Sequence, residues 1–138
     1  MSTTCQKSMK SKLALIFTGV TLAVACLNPL GKEALAGKFS RSCEDFALTG
    51  DSILSATCKD RNANKRRTSL NLNRRIRNKN GYLTTGGGNY VSTCKNIGWG
   101  RGVSLKADCR TYNGDWRYST LNLDSIITNN DGNLTFDR

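Results

Sequence analysis

Apolar and polar residues alternate one by one along Leu54-Ser55-Ala56-Thr57-Cys58, and again along Leu105-Lys106-Ala107-Asp108-Cys109. A period of two puts every second side chain on one face, so both stretches predict half-buried β-strands. Ser69-Leu70-Asn71-Leu72 and Thr120-Leu121-Asn122-Leu123 repeat the pattern. The turn-formers Asn62-Ala63-Asn64 and Asn113-Gly114-Asp115 lie between, which predicts a polar-tipped hairpin in each half. Asn80-Gly81 and Asp131-Gly132 are strong two-residue hairpin signals, because both residues tolerate the positive φ such loops need. No segment after the first 36 residues has a convincing helical period. Short helical turns fit near residues 40–44 and 73–77.

These matched elements belong to a duplication. Shifted by 51 positions, residues 39–87 align with 90–138 without a gap. Fourteen positions are identical, where chance gives about three. They include Cys43/Cys94, Leu54/Leu105, Ala56/Ala107, Cys58/Cys109, Leu72/Leu123, Ile76/Ile127, Asn78/Asn129 and Gly81/Gly132. Gly86-Gly87-Gly88 joins the halves. A unit of about 50 residues buries little core alone. Two units sharing apolar faces predict an all-β, pseudo-two-fold, tandem-repeat domain over residues 37–138.

The segment before it reads differently. Lys7, Lys10 and Lys12 precede an apolar run from Leu13 to Leu27, and Ala34-Leu35-Ala36 follows. A run of about 15 residues is short for a membrane span, which needs roughly 20. Basic start, apolar middle and small-residue exit predict a secretory signal peptide over residues 1–36, cleaved after Ala36. An uncleaved anchor helix and lipoprotein processing at Cys26 are the alternatives. Cleavage predicts a secreted or periplasmic protein with no stable membrane span. It also leaves four cysteines, which in a short exported domain imply disulfides. The equal spacing of 15 residues within each half favours Cys43–Cys58 and Cys94–Cys109 over the other pairings. A zinc site would want close cysteine pairs or histidines, and the chain has no C-x-x-C and no histidine. No metal or other cofactor is expected.

Charge then separates the halves. Residues 37–88 carry 11 basic and 4 acidic residues, residues 89–138 carry 6 and 5. Lys65-Arg66-Arg67 and Arg74-Arg75-x-Arg77 could bind an acidic polysaccharide or other anionic polymer, with Tyr82, Tyr112, Trp116 and Tyr118 as stacking surfaces. The favoured reading of these runs is a solvated hairpin tip and turn. Export argues against a nucleic-acid partner. Trp99 and Trp116 read as partial core. Without histidine, no Ser-His or Cys-His nucleophile can be built. One glutamate and eight aspartates after residue 36 offer no singled-out acid pair for glycoside hydrolysis. A catalytic function is not expected.

Gly37-Lys38-Phe39-Ser40, the two Cys-x14-Cys loops, Leu70-Asn71-Leu72 and Asn78-x-Asn80-Gly81 resemble the cyanovirin-N family of lectins. So do Asn122-Leu123-Asp124 and Ile127-x-Asn129-x-Asp131-Gly132-x-Leu134. The resemblance implies two β-units that each draw strands from both repeats. It also implies two metal-free pockets for high-mannose glycans, in a monomer or a domain-swapped dimer. By position, one pocket would use Lys38, Arg41, Ser42, Lys59, Asp60, Arg61 and Asn62 with Thr128, Asn129, Asn130 and Asp131. The other would use Arg77, Asn78, Lys79 and Asn80 with Gly88, Asn89, Ser92, Thr93, Arg110, Thr111, Tyr112 and Gly114. Short amides, hydroxyls and backbone carbonyls suit vicinal sugar hydroxyls. Asn78, Asn80, Asn129 and Asp131 could also simply close hairpin turns. Lys59 and Arg77 stand where the family usually has acids. The second pocket keeps more of the polar pattern and is expected to be the better sugar site.

Overall fold

The computed structural model describes residues 38–138. The predicted leader, its cleavage after Ala36 and the alternative at Cys26 lie outside the described residues. Ten strands follow in order: β1 (Cys43–Thr49), β2 (Ile53–Lys59), β3 (Lys65–Asn71), β4 (Ile76–Lys79) and β5 (Tyr82–Thr85) in the first repeat. The second has β6 (Cys94–Trp99), β7 (Ser104–Arg110), β8 (Trp116–Asn122), β9 (Ile127–Asn130) and β10 (Asn133–Phe136). Single 3-10 turns occupy Phe39–Arg41, Leu72–Arg74, Tyr90–Ser92 and Leu123–Ser125. The helical turns expected at 40–44 and 73–77 are shorter and shifted, to 39–41 and 72–74, and the later residues of both spans belong to β1 and β4. Asn71 and Asn122 start the second and fourth 3-10 turns by accepting the backbone N–H two residues on. That is ordinary asparagine N-capping. Among the described residues no helix is long and apolar enough to cross a membrane.

The alternation read from the sequence is the burial pattern. Leu54, Ala56 and Cys58 of β2 are buried while Ser55 and Thr57 are not, and β7 does the same with Leu105, Ala107 and Cys109. β1, β2 and β3 form one antiparallel sheet, and β6, β7 and β8 form another. β4–β5 and β9–β10 are separate two-stranded ladders closed at Asn80-Gly81 and Asp131-Gly132. All four turn residues have positive φ, near 54° for the first of each pair and 91° for the glycine. This is the geometry expected of a primed two-residue hairpin.

Each ladder docks on the sheet of the other repeat: β5 lies against β8, and β10 against β3. Two equivalent backbone-to-hydroxyl bonds mark the contact. Leu83 N donates to Ser119 Oγ at 2.9 Å, and Leu134 N to Thr68 Oγ1 at 3.1 Å. The glycines make the approach possible as well as the turn. A Cβ on Gly81 would lie 2.9 Å from Arg117 Cβ, and one on Gly132 would lie 2.7 Å from Arg66 Cδ.

One core runs through both units, and it obeys the 51-residue offset completely. Phe39, Cys43, Leu54, Ala56, Cys58, Leu72, Ile76 and Leu83 are buried, and so is every counterpart from Tyr90 to Leu134. Where the pair is Phe39 and Tyr90, the extra hydroxyl is satisfied by donation to Asp51 O at 2.5 Å. Burial, and then nearby Asp51, push that phenol's ionisation above its ordinary range. Residues at the start of each repeat bind the end of the other repeat's sheet. Lys38 N donates to Asp124 O and Asn89 N to Asn73 O, both at 2.7 Å.

The disulfides are Cys43–Cys58 and Cys94–Cys109. Each joins residues directly opposite in its ladder, β1 with β2 and β6 with β7. Beyond each, a bulge with a positive-φ Asp45 or Asn96 shifts the register. Closing a loop of 15 residues should stabilise by about 3 kcal/mol. We predict that Cys43→Ala with Cys58→Ala, or Cys94→Ala with Cys109→Ala, each lowers unfolding free energy in urea by about that amount. A loss under about 1 kcal/mol would mean that the unfolded chain already holds these hairpins.

Candidate functional site

Docking of each ladder on the other repeat builds two related polar clusters. In both, an asparagine on the ladder ties together three segments. Asn129 Nδ2 donates to Ser42 Oγ at 2.8 Å and to Lys59 O at 2.9 Å. Its Oδ1 accepts from Gly132 N at 2.8 Å. Asn78 Nδ2 donates to Thr93 Oγ1 at 3.1 Å and to Arg110 O at 2.8 Å, and its Oδ1 accepts from Gly81 N at 2.7 Å. Both amide hydrogens and one lone pair of each side chain are thereby committed to the scaffold. Asn78 and Asn129 therefore hold the clusters together, with at most one lone pair left for a ligand.

The residues two places on complete the match. Asp131 Oδ1 accepts from Arg61 N at 2.8 Å, and Asn80 Oδ1 accepts from Tyr112 N at 2.9 Å. Each pins the tip of the neighbouring β2–β3 or β7–β8 hairpin to the ladder turn. So all four residues with two sequence readings do close hairpins, and they also join hairpins across repeats. The Arg61–Asp131 ion pair, 4.0 Å and well exposed, adds little.

The first cluster forms an open cleft of about 590 Å³. Of the residues expected there, Ser42, Lys59, Asp60, Arg61, Thr128, Asn129, Asn130 and Asp131 line it. Arg41 lines a smaller neighbouring cavity of about 70 Å³ with Glu44 and Thr57, which shares Ser42 and Lys59 with the cleft. Lys38 is held at the repeat junction by Asp124 O, and Asn62 sits in the hairpin tip with its N–H on Asp60. Sequence reasoning missed one wall: Thr135, Phe136, Asp137 and Arg138. A signal was present, since a two-residue turn at Asp131-Gly132 fixes Thr135 opposite Thr128.

In the second cluster Asn78, Asn80, Thr93, Arg110 and Tyr112 meet through the bonds above. Thr111 closes the adjoining tip, with Oγ1 accepting from Asp115 N and its carbonyl from Gly114 N. Arg77 and Lys79 are exposed neighbours on β4. Gly88 packs instead against the carbonyls of Asn73 and Arg74, and Asn89 N bonds to Asn73. Ser92 is tied back to Asn89 by its hydroxyl. These three serve the junction, as Lys38 does in the other half.

Electrostatics differ between the clusters. The cleft contains Lys59, Arg61 and Arg138 with Asp60, Asp131 and Asp137, whereas the second cluster sets the hydroxyls of Thr93, Thr111 and Tyr112 beside the cations Arg77, Lys79 and Arg110. Asp60 is held below its ordinary pKa, first by the Asn64 backbone N–H and further by that of Asn62 and by Arg66. Of the basic run on β3, Lys65 is engaged by Glu44 at 2.5 Å. That contact lowers the carboxyl's pKa and raises the ammonium's. Trp99 is partly buried against the core, as expected. Trp116 is not core: it is 43% exposed on β8, with Lys95 Nζ 4.0 Å and Arg110 Cζ 4.9 Å from its ring centre. Its place at the strand end, on the outward face, overrides the usual preference of indole for burial. Among the described residues no group of three or more His, Cys, Asp or Glu could hold a metal ion.

A family model for the CVNH domain matches residues 39–135. Among solved structures, the chain is similar to the CVNH protein of Gibberella zeae, with 28% identity and a TM-score of 0.70 over 74% of this chain and 99% of that one. It is similar to a designed cyanovirin-N homolog lectin at 28% identity and a TM-score of 0.67, covering 72% and 99%. It is also similar to microvirin in a complex with mannobiose, at 36% identity and a TM-score of 0.62, covering 72% and 98%.

Two predictions concern the scaffold of these clusters. Asn129→Ala removes three hydrogen bonds, each worth about 0.5–1.5 kcal/mol, so urea unfolding should show a loss near 2 kcal/mol. Asn78→Ala should cost a similar amount, and a change below about 0.5 kcal/mol in both would refute the tie. The second is a pH dependence. A depressed carboxylate stabilises the folded tip fully above its ordinary value of 3.8 and loses that contribution as pH falls through the lower folded value. The Asn62 and Asn64 amide resonances should therefore titrate with a midpoint below 3.8; a midpoint at or above it would contradict the assignment.

Proposed function

The chain belongs to the CVNH domain family, which matches 39–135 of its residues, and from that premise we propose that it is an exported, non-catalytic lectin for mannose-rich glycans with two non-equivalent sites. The observation that carries this reading is the convergence in one open cleft of residues far apart in sequence, 42 and 59–61 with 128–131. The second cluster repeats the same asparagine-centred bonding at positions 51 residues removed. The mannobiose complex of the relative with 36% identity supports mannose as the sugar.

The chemistry suits a neutral ligand. Vicinal hydroxyls of a pyranose both donate and accept, and each cluster offers backbone groups, hydroxyls and amides anchored by the ladder. Because turn and tip are already fixed, little side-chain entropy opposes binding. The second site, which adds the hydroxyls of Thr93, Thr111 and Tyr112 to its cations Arg77, Lys79 and Arg110, is the tighter one for uncharged mannose. In the first, the carboxylates of Asp60 and Asp131 must shed water as well as the cations Lys59 and Arg61 for the same hydrogen bonds.

The test is calorimetry with a mannose-terminated oligosaccharide alongside a glycan array. Two binding events of unequal affinity are expected. Arg61→Ala with Asn130→Ala should weaken the lower-affinity event, and Lys79→Ala with Tyr112→Ala the higher, each by about tenfold for one or two hydrogen bonds lost. An array showing acidic glycans bound and mannose-terminated glycans ignored would overturn the proposal.

A further inference from the structure

Among the described residues the exposed large aromatics are Tyr82, Tyr112, Trp116 and Tyr118, at 52, 79, 43 and 64% exposure. All four belong to the unit formed by β4–β8. The first-repeat positions related to Tyr112, Trp116 and Tyr118 are Arg61, Lys65 and Arg67, and the second-repeat position related to Tyr82 is Asn133. The scaffold therefore does not require aromatic residues there. Tyr82 is covered by the Arg117 guanidinium at 4.6 Å, on the side of β8 that meets the ladder. Trp116 and Tyr118, two residues apart on β8, share the outward face.

β7 supplies that same face with Lys106, Asp108 and Arg110, since the alternate residues Leu105, Ala107 and Cys109 are buried. β6 adds Lys95, opposite Asp108 in the ladder. Lys95 and Arg110 are held over Trp116. Neither has a carboxylate partner: the ion pairs among the described residues are Arg61–Asp131 and Lys65–Glu44. The nearest acid in the sheet, Asp108, accepts from Asn96 Nδ2 at 2.7 Å.

Comparison of the two sheets makes the point sharper. The position of Trp116 and Lys95 in one sheet is that of Lys65 and Glu44 in the other. There the charges neutralise each other in a closed pair. Here an indole holds two cations in place outside any ion pair, beside an open phenol ring, with Asp108 opposite both Lys95 and Tyr118 in the ladder and tied to Asn96. Ring and cation together recognise a ligand with an apolar face and an anion next to it. A pyranose presents such a C–H face, and a uronate carboxylate or a sulfate supplies the anion.

We propose that the outward face of β6–β8, centred on Lys95, Arg110, Trp116 and Tyr118, is a separate subsite for an acidic sugar residue. Tyr118 offers the stacking ring and Trp116 positions the two cations. Arg110 links this face to the second cluster, because its carbonyl is bound by Asn78. A branched or extended glycan could thus reach both. Saccharide is favoured over nucleic acid by that continuity, which rests on the lectin reading; the face itself does not.

Trigalacturonate and a sulfated trisaccharide are the probes, followed by tryptophan fluorescence and calorimetry, with the methyl ester of the first as its uncharged control. Binding of at least one acidic probe is expected, with affinity falling as salt rises, and at least tenfold weaker binding of the ester than of trigalacturonate if that is the probe bound. Tyr118→Ser and Lys95→Ser should each weaken the acidic probe about five- to tenfold. Lys95→Ser should also flatten the salt dependence. Both should leave mannose-terminated oligosaccharide affinity within twofold, which shows that the fold is intact. Absence of binding to either acidic probe, equal binding by the ester, or loss through Lys65→Ser and Arg67→Ser instead would overturn the subsite. So would a single-stranded oligothymidylate that binds this face more tightly than either saccharide. Failure of mannose binding with the acidic subsite intact would sink only the mannose assignment.

Discussion

A two-stranded ladder of four-residue strands cannot bury an apolar face by itself, and this protein has two of them. Docking each on the three-stranded sheet of the other repeat is the constraint on which everything else depends. Leu83 and Leu134 reach the core only through that exchange, and Thr68 and Ser119 exist at the contact to receive their backbone N–H groups. The same exchange brings Asn78 to Thr93 and Asn129 to Ser42, across 15 and 87 residues of sequence. Folding and site formation are therefore one event: what closes the core also assembles the two polar clusters.

This coupling explains what the sequence could reveal. Strands β2 and β7 were legible because half-burial stamps a period of two on five consecutive residues. The two-residue turns were legible because few residues besides Asn, Asp and Gly accept their φ values. The disulfides followed from equal spacing, and direct cross-strand pairing is why that spacing recurs. Which sheet each ladder covers was not written in any local pattern; resemblance to a family supplied it. The cleft wall from Thr135 to Arg138 was missed for a related reason. It is made by the partner strand of a residue already assigned, and reading the register outward from the turn would have found it. Lys38, Gly88, Asn89 and Ser92, expected in the sites, make their bonds and contacts at the junction between repeats. A position next to a functional motif does not distinguish the two roles, since both want polar groups and positive φ.

Trp116 failed as core for an instructive reason. Burial preference is a property of the residue averaged over proteins, whereas its place here is fixed by strand alternation: Arg117 and Ser119 face the ladder, so Trp116 and Tyr118 face out. The duplication holds that alternation constant in both halves, so the two outward faces are free to diverge without disturbing the core. Buried apolar positions all follow the offset of 51 residues. Exposed ones diverge in chemistry, from Glu44–Lys65 to Lys95–Trp116.

Such divergence changes what the concentration of positive charge in the first repeat means. Lys65 is neutralised by Glu44, and Arg61 lies beside Asp131. Pairing thus closes off Lys65 on the first sheet, while Lys59, Arg66 and Arg67 are in no ion pair among the described residues. The second sheet, close to neutral by count, holds two cations with no acid partner and aromatic rings beside them. Unmatched charge at fixed positions, rather than net charge, determines where an acidic group gains most from leaving water, because a paired cation must first give up its partner. By that criterion the outward face of β6–β8 is receptive because its cations are fixed over an aromatic ring that the first sheet lacks at the same position, and the duplicated architecture has placed its two kinds of recognition, neutral and acidic, within reach of each other on the same unit.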